Sequence, residues 1–328
     1  MELVSKHRLH IFSGRSHPAL AMDVARHLGV EVGSCELVDF ADGEIRARFG
    51  QSVRGTDVFV LQTHCPSNGR SINDSLMEQW LMIDAARRAS AKRITAVCPY
   101  YAYARQDRKS SPREPISARM VADFFGAAGA ERIMSVDLHS GQIQGFFNGP
   151  VDHLTAVPLL VDYIRSKVPP DFVMVSPDTG RTKVAEKAAR YAGDVDMAAV
   201  YKRRSRDKLG QVEALDVMGQ VDGRMCVLVD DMIDTAGTLC EAAKLLYQKG
   251  ATDVWAMATH GVFSGPAIDR IKNSGITRVV VTDTLPLPPE KQVDKIETVS
   301  VAKTFADAIR AVFEEGSVSA IFGGENQS

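Results

Sequence analysis

Short apolar segments alternate with longer segments of helical periodicity along most of this sequence. The apolar segments have the length of buried strands and occupy residues 57–64, 93–101, 132–139, 172–178, 225–231, 253–260 and 278–284. Between them, Ile72–Ala89, Ser117–Ala128 and Thr238–Lys249 repeat apolar residues about every 3.6 positions. Strands that alternate with helices form βαβ units, so the pattern predicts an α/β fold with mostly parallel sheets.

The alternation occurs twice, before about residue 150 and again from about residue 170. A chain of 328 residues is also long enough for two domains of about 150 residues each. We therefore expect two similar α/β domains, over residues 1–155 and 156–328, each with a mostly parallel central sheet flanked by helices. The last 15 or so residues are expected to return to the N-terminal domain.

Charge and cysteine content restrict the partners and the location. The formal net charge of -2 gives no general attraction to nucleic acid or to an anionic membrane, so neither is expected as a partner. The five cysteines are scattered and never spaced as CxxC, which is typical of reduced thiols rather than of disulfides or a zinc cluster. No apolar run is long enough for a membrane span or a signal peptide, so we expect a cytoplasmic location.

Polar residues follow several of the predicted strands. These residues are Asp137 and His139, the segment 177–180, Asp230 and Asp231, and Thr259 and His260. In open parallel sheets, ligands bind outside the carboxyl ends of the strands. The sequence therefore predicts a binding site at the carboxyl ends of the strands.

The segment 226–239, CVLVDDMIDTAGTL, combines clustered acids with a turn of small residues. Carboxylates that repel each other cost several kcal/mol to desolvate unless a partner meets them. Successive backbone N–H groups in such a turn, at the start of a helix, bind a phosphate monoester, and the acids suit vicinal hydroxyls or a metal beside it. The segment predicts a sugar phosphate site made by Asp230, Asp231, Asp234, Thr235, Ala236, Gly237 and Thr238.

Two other interpretations of this segment are open at this point. Asp234 and Thr235 could cap the helix while Asp230 and Asp231 stay solvated. A strand that ends in two acids is also typical of the Walker B carboxylate of a P-loop NTPase, but neither GxxxxGK[ST] nor GxGxxG occurs in this chain. The cost of clustering acids without a partner favours a ligand site over capping.

The segment resembles the 5-phosphoribosyl-1-diphosphate (PRPP) binding motif shared by type I phosphoribosyltransferases and ribose-phosphate pyrophosphokinases. Further blocks resemble the pyrophosphokinase family, in its order, over nearly the whole chain: FADGEI (40–45), SVRG (52–55), YARQD (103–107), PISA (115–118), DLHSGQIQGFF (137–147), VSPDTG (175–180), YKRR (201–204) and THGVFSGPA (259–267). The resemblance implies two phosphoribosyltransferase-like domains. It also implies magnesium-dependent transfer of the pyrophosphoryl group of ATP to the 1-hydroxyl of ribose 5-phosphate, giving PRPP and AMP for nucleotide biosynthesis.

The resemblance assigns catalytic and metal-binding roles outside the PRPP motif. Lys202 and Arg204 match the catalytic pair of the family, with Arg204 also contacting ribose 5-phosphate; read alone, the basic run 202–208 is more typical of a solvated face. His139 and Asp178 match the magnesium contacts, although a histidine by itself is equally typical of a buried core residue.

ATP contacts and a regulatory site are also implied by the resemblance. The ATP contacts are Phe40, Asp42, Gly43, Glu44, Arg105 and Gln106. Phe40 would stack on adenine from a neighbouring subunit, whereas its sequence alone indicates a tight turn between strands. A regulatory phosphate site, with inorganic phosphate as activator, would involve Ser52, Arg54, Gln144, Ser317 and Ser319. The family assembles as hexamers of dimers, so we expect a homo-oligomer.

The chain departs from the family pattern at two positions. Arg181 stands where the family usually has a second glycine, and Ser205 stands where it commonly has proline.

Two other functions compete with PRPP synthesis. A phosphoribosyltransferase would consume PRPP and is usually shorter, with one such domain. A non-catalytic regulatory subunit would be expected to lack the basic pair or the metal contacts, yet all four residues are present: Lys202, Arg204, His139 and Asp178.

Overall fold

The computed structural model describes residues 8–204 and 213–322, with the backbone alone described at 202–204, 213 and 214. The chain forms two units. The first contains the described chain up to Thr155, the short segment Thr284–Pro286 and the chain from Ala302 onward. The second contains Ala156–Asp283 and Leu287–Val301.

The first unit is built around a six-stranded parallel sheet. Its elements are β1 (Leu9–Ser13), α1 (Pro18–Leu28), β2 (Val32–Gly33), β3 (Cys35–Asp39), β4 (Ile45–Phe49), β5 (Asp57–Leu61), α2 (Ile72–Arg88), β6 (Arg93–Cys98), α3 (Ser117–Ala128), β7 (Arg132–Val136), a 3-10 turn at Gly141–Gly145 and β8 (Val151–Leu154). The strand order is β2-β1-β5-β6-β7-β8, while β3 and β4 form a separate antiparallel hairpin. Every residue of β5 is buried, as expected for a parallel strand covered on both faces.

The second unit contains a seven-stranded sheet. Its elements are α4 (Val157–Arg165), β9 (Phe172–Ser176), α5 (Thr182–Tyr191), β10 (Met197–Arg204), β11 (Glu213–Met218), β12 (Met225–Ile233), α6 (Gly237–Gln248), β13 (Asp253–Gly261), α7 (Ala267–Asn273), β14 (Arg278–Thr282), a 3-10 turn at Pro289–Lys291 and β15 (Ile296–Val299). The order is β11-β10-β9-β12-β13-β14-β15, and only β11 runs antiparallel. The predicted α/β class with mostly parallel sheets is confirmed.

The last helix, α8 (Ala302–Phe313), and a 3-10 turn at Ser319–Phe322 belong to the first unit. Helix α8 packs beside α1, where Arg310 Nη2 donates to the carbonyl oxygen of His27 at 2.9 Å. After the helix, Glu315 pairs with Arg93 Nη1 at 3.2 Å. The end of the described chain is therefore fixed to this unit by both packing and charge.

Each of the seven apolar segments contains a strand, and each of the three periodic segments is a helix, so these predictions are confirmed. The end of β12 differs from the prediction. Strand β12 continues past the acids, with Met232 and Ile233 paired to His260 and Gly261 of β13. The prediction that the strand ends on Asp230 and Asp231 is therefore wrong by two residues, because the neighbouring strand supplies backbone partners beyond them. Within the described residues, no helix has the length and apolarity needed to cross a bilayer.

The buried His64 makes the stability of the first unit dependent on pH. Its Nε2 lies 2.7 Å from Gln79 Oε1, and its Nδ1 accepts from the backbone N–H of Ala102 at 3.1 Å, which fits the neutral ring. Burial lowers the pKa of His64 to about 4 from 6.5. The unfolded chain therefore binds this proton more readily than the folded chain as the pH falls from 6.5 towards 4, and stability decreases over that window.

We expect this histidine to remove about 2 kcal/mol of unfolding free energy between about pH 7.5 and about pH 5. Urea denaturation at both pH values gives the decrease in unfolding free energy for wild type and for His64→Gln. The decrease should be about 2 kcal/mol smaller in the variant than in wild type. The matched control is His27→Gln, since His27 is exposed on α1 and should retain the wild-type dependence. Equal pH dependence in wild type and His64→Gln would show that His64 is not the titrating group.

Candidate active site

The turn between β12 and α6 is held by the loop that follows β13. The carbonyl oxygen of Ile233 accepts from the N–H groups of Val262 and Phe263, both at 3.0 Å. The carbonyl oxygen of Asp234 accepts from the N–H of Ser264, also at 3.0 Å. These bonds fix the backbone path between the acids of β12 and the first turn of α6.

Helix α6 begins without a side-chain cap. Its N-cap is Ala236, which adopts the left-handed conformation at φ 58°, a strained conformation for a residue with a Cβ atom. The N-cap position is thus held by Ala236 and not by Asp234 or Thr235. The backbone N–H groups of a first helical turn have no acceptor within the helix, so this turn can bind an anion.

Arg270 of α7 fixes the same turn from the side. Its Nη1 donates to the carbonyl oxygen of Thr235 at 2.9 Å. A Cβ atom at Gly237 would lie 3.2 Å from that nitrogen, so a glycine at this position avoids a close contact with the guanidinium. Sequence reasoning missed Arg270, which lies 35 residues along the chain from Thr235.

The two acids on β12 are close together and poorly hydrated. Asp231 is 4 % exposed, and Asp230 Oδ1 accepts from the N–H of Asp231 at 2.8 Å. The pKa of Asp230 is raised, because burial disfavours its charge and because the Asp231 carboxyl lies beside it. The positive charge of Arg181 acts to lower the pKa of Asp230, but burial and the Asp231 carboxyl outweigh it. The pair therefore has the low hydration expected of a site that receives hydroxyl donors.

Arg181 lies against both of these acids. Its Nε is 3.2 Å from Asp230 Oδ1, and its Nη2 is 3.0 Å from Asp231 Oδ1. The side chain is 18 % exposed. The residue that departs from the family pattern is thus the cation that meets the acids, a role that sequence reasoning did not assign to it.

Asp178 lies in the turn between β9 and α5. Its Oδ1 accepts from the N–H of Gly180 at 2.7 Å, and its backbone carbonyl oxygen accepts from Ser176 Oγ at 2.6 Å. The residue is exposed. These bonds fix the turn while its carboxylate remains accessible to a ligand.

His139 follows β7 in the first unit. Asp137, two residues before it, has a φ of 39°, and its N–H donates to the carbonyl oxygen of Leu154 at 2.9 Å. The next N–H, of Leu138, donates to His153 Nε2 at 2.9 Å. His139 itself is half-buried rather than a core residue. Where side chains are described, no group of three or more His, Cys, Asp or Glu residues is arranged to hold a metal ion.

Phe40 is at the tip of the β3–β4 hairpin and is 50 % exposed. The turn is closed by Phe40 N–H to the Glu44 carbonyl at 2.8 Å and by Gly43 N–H to the Phe40 carbonyl at 2.9 Å, with Gly43 at φ 95°. Asp42 Oδ1 accepts from the N–H of Glu44 at 3.1 Å. The predicted turn between strands is confirmed, and it presents an aromatic ring to solvent.

An ion-pair network fixes this hairpin at Asp39. Arg15 pairs with Asp39 at 2.7 Å and also with the buried carboxylate of Glu78, while Arg70 pairs with the other oxygen of Asp39. Hydrogen bonds from Arg15 and Arg70 lower the pKa of Asp39 to about 2. Sequence reasoning missed this network, because its four members are far apart in the chain.

Gln106 and Arg105 lie between β6 and α3. Gln106 Oε1 accepts from Ser117 Oγ at 2.5 Å, and its N–H donates to the carbonyl oxygen of Tyr103, which has a φ of 61°. Both Arg105 and Gln106 are exposed. This turn is in the same unit as the Phe40 hairpin.

Comparison with known proteins gives the family. Residues 9–129 match the N-terminal domain of ribose phosphate pyrophosphokinase, and residues 191–323 match the phosphoribosyl synthetase-associated domain. The ribose-phosphate pyrophosphokinase of Streptomyces avermitilis is 53% identical over 316 residues, which is 96% of each chain. That of Mycobacterium leprae is 51% identical over 322 residues, 98% of this chain and 97% of the relative. The chain belongs to the ribose-phosphate pyrophosphokinase family.

A solved structure agrees with this assignment. The phosphoribosylpyrophosphate synthetase of Mycobacterium smegmatis is 51% identical, with a TM-score of 0.87 over 94% of this chain and 100% of that one. The ribose-phosphate pyrophosphokinase family consists of diphosphotransferases, so the chain is an enzyme of nucleotide biosynthesis. Neither a phosphoribosyltransferase nor a non-catalytic subunit is favoured.

The catalytic pair expected of a ribose-phosphate pyrophosphokinase lies at the end of β10. The backbone of Lys202 pairs with Leu215, and that of Arg204 pairs with Glu213. The side chains of Lys202 and Arg204, and the whole of Ser205, lie outside the described residues. The catalytic role of the pair stays a prediction.

A polar cavity of about 460 Å³ in the first unit contains part of the expected regulatory site. Gln144 and Ser319 line it together with Arg93 and Arg132. Ser317 Oγ is 3.0 Å from Ser319 Oγ. Ser52 and Arg54 are not among the described residues that line this cavity. Both are exposed on the turn before β5. The structure thus brings together three of the five predicted residues.

Proposed function

We propose that this chain transfers the pyrophosphoryl group of ATP to the 1-hydroxyl of ribose 5-phosphate, giving PRPP and AMP. The observation that carries the proposal is the largely buried acid pair of β12, followed by a short turn into α6, whose N-cap residue Ala236 makes no side-chain capping bond. One end of this arrangement binds a phosphate, and the other accepts hydrogen bonds from a vicinal diol. A sugar phosphate supplies both groups.

The 5-phosphate binds the backbone N–H groups of Asp234–Thr238, aided by the hydroxyls of Thr235 and Thr238, both exposed. The positive end of the α6 dipole favours a dianion there. The 2- and 3-hydroxyls of the ribose donate to Asp230 and Asp231. This pose leaves the 1-hydroxyl free to attack.

Pyrophosphoryl transfer requires mainly positioning and charge neutralisation. Negative charge grows on the equatorial oxygens of the transferred phosphorus and on the leaving AMP. Lys202 and Arg204 of β10 supply the positive charge at these oxygens, and Arg204 also contacts ribose 5-phosphate. Exclusion of water strengthens each of these interactions.

Magnesium is the proposed metal, with Asp178 and His139 as its protein contacts by resemblance to the family. Mg²⁺ keeps several waters and is usually held by one or two carboxylates together with substrate phosphates, so a compact cluster of protein ligands is not required. The exposed carboxylate of Asp178, on a turn fixed by Gly180 N–H, meets this requirement. His139 would contact the metal through water. When bound, Mg²⁺ neutralises the polyphosphate charge.

The residues that contact ATP are all in the first unit: Phe40, Asp42, Gly43 and Glu44 on the hairpin, and Arg105 and Gln106 between β6 and α3. The exposed Phe40 ring stacks on adenine, and the Asp39 network keeps the hairpin in one orientation. Arg105 contacts the phosphates.

We further propose that the hairpin serves the active site of a neighbouring subunit in a homohexamer of dimers. Inorganic phosphate is the proposed activator, acting through Ser52, Arg54, Gln144, Ser317 and Ser319, and the proposed location is cytoplasmic.

Phe40→Ala should raise the KM for ATP roughly 10-fold, because stacking of a base on an aromatic ring contributes about 1–3 kcal/mol. The affinity for ribose 5-phosphate should not change, since that sugar binds the second unit. Initial rates at varied ATP, with the sugar saturating, measure the effect. Val38→Ala is the matched control, because Val38 is 40% exposed on the same hairpin. If both variants raised the KM equally, loss of hairpin order rather than loss of stacking would be the cause.

The proposed activity is tested by mixing the purified protein with ATP, ribose 5-phosphate and Mg²⁺ and measuring AMP release, with and without inorganic phosphate. We expect one AMP for each PRPP formed and a higher rate with phosphate. AMP release that does not depend on the sugar, or PRPP consumption without its formation, would contradict the proposal.

A further inference from the structure

Asp230 and Asp231, the proposed acceptors of the ribose hydroxyls, have a cationic partner within the protein. Arg181 Nε and Nη2 lie 3.2 and 3.0 Å from Asp230 and Asp231, respectively. Side-chain exposures of 18 % for Arg181 and 5 % for Asp231 show that these groups are largely removed from water. A guanidinium that meets two carboxylates in this environment occupies the positions that hydroxyl donors need.

We propose that Arg181 is a positioning residue that occupies the diol subsite until ribose 5-phosphate displaces it. The inference rests on the proposed function, because it takes Asp230 and Asp231 as the acceptors of the sugar hydroxyls. In the free enzyme, Arg181 neutralises the two acids and holds them in place. When the sugar binds, its 2- and 3-hydroxyls take over the carboxylate oxygens and the guanidinium leaves them.

Displacement has a thermodynamic consequence that a merely structural arginine would not have. The ion pairs stabilise the free enzyme and are lost in the complex, so they reduce the affinity for ribose 5-phosphate by their own free energy. Partly buried ion pairs contribute on the order of 1 kcal/mol, which corresponds to about a fivefold change in Kd. Arg181 therefore weakens sugar binding while it preserves the acid pair.

The fold explains why Arg181 reaches these acids. Strand β9 pairs with β12 in parallel, so the turn after β9 lies beside the acids of β12. Arg181 is the N-cap residue of α5, the helix that starts directly after this turn. A glycine at this position could not make either ion pair.

The test is calorimetric titration of ribose 5-phosphate, without ATP, into wild type, Arg181→Gln and Arg181→Lys. Arg181→Gln should bind about fivefold more tightly. Arg181→Lys should lie between it and wild type, because one ammonium cannot meet both carboxylates as a guanidinium does. Arg190→Gln is the matched control, since Arg190 lies on α5 with an exposed partner, Glu186, and its replacement should leave Kd unchanged.

A second measurement uses the free protein. The unfolding free energies of Arg181→Gln, Asp231→Asn and the double variant should show a favourable coupling between the two side chains. Ribose 5-phosphate should raise the Tm of Arg181→Gln more than that of wild type.

The outcomes separate the two proposals. If wild type binds the sugar and Arg181→Gln binds it equally or more weakly, the displacement inference is wrong while the proposed function stands. If wild type does not bind the sugar, the proposed function itself fails. A coupling of zero in the free protein would also overturn the inference, since no ion pair would then exist to be displaced.

Discussion

Replacing Lys202 with alanine is expected to lower kcat by two to three orders of magnitude. Removing one preorganised group that stabilises developing charge typically costs about 10²–10³ in turnover. The Kd for ribose 5-phosphate should remain nearly unchanged, because the proposed sugar contacts, the amides of the β12–α6 turn and the acids of β12, do not include Lys202. Steady-state kinetics at saturating substrates give kcat, and direct titration gives Kd.

The control for this experiment is Lys244→Ala, which removes an exposed lysine of α6 and should leave kcat unchanged. Ordinary turnover in Lys202→Ala would remove this residue from the mechanism. A loss of sugar affinity as large as the loss of turnover would instead place Lys202 in ground-state binding of the sugar.

The double variant Asp230→Asn, Asp231→Asn is expected to weaken ribose 5-phosphate binding by roughly 10²-fold or more. Hydrogen bonds to a charged acceptor contribute about 1.5–3 kcal/mol each, and this variant makes two charged acceptors neutral. Calorimetric titration of the sugar measures the loss. The KM for ATP, whose proposed contacts are in the first unit, should change much less.

The matched control is Asp222→Asn, an exposed carboxylate in the second unit outside the β12–α6 turn, which should bind the sugar as wild type does. Because the double variant leaves Arg181 without its two partners, its Tm has to be compared with that of wild type. A folded double variant with wild-type affinity would show that the acids of β12 do not bind the sugar.

Much of the fold could be predicted from local sequence. Buried parallel strands appear as continuous apolar runs, and the helices between them repeat apolar residues with the helical period, so segments such as 57–64 and Ile72–Ala89 were identifiable. Strand ends were less predictable. The sheet extends past Asp230 because β13 supplies partners there, and the sequence of β12 alone does not contain this information.

The candidate site was also predictable only in part, because local sequence contains information only about residues that are close together in the chain. The acids and the following turn are contiguous in the chain, so their chemistry could be inferred from a single segment. Contacts between distant residues could not. The Asp39 network joins residues on β3, on α2 and in loops, and Arg270 supports a turn 35 residues away.

The α/β class, the acid-rich turn typical of a sugar phosphate site and, through the ordered motifs, the family can be inferred from the sequence, because each of them depends on neighbouring residues. The cation that meets the acids of β12 is set by the tertiary structure. Arg181 is some 50 residues from Asp230 and Asp231 along the chain, and it reaches them because β9 lies next to β12 in the sheet. Strand order is set by how the chain buries its apolar surface as a whole, so no local pattern specifies this contact.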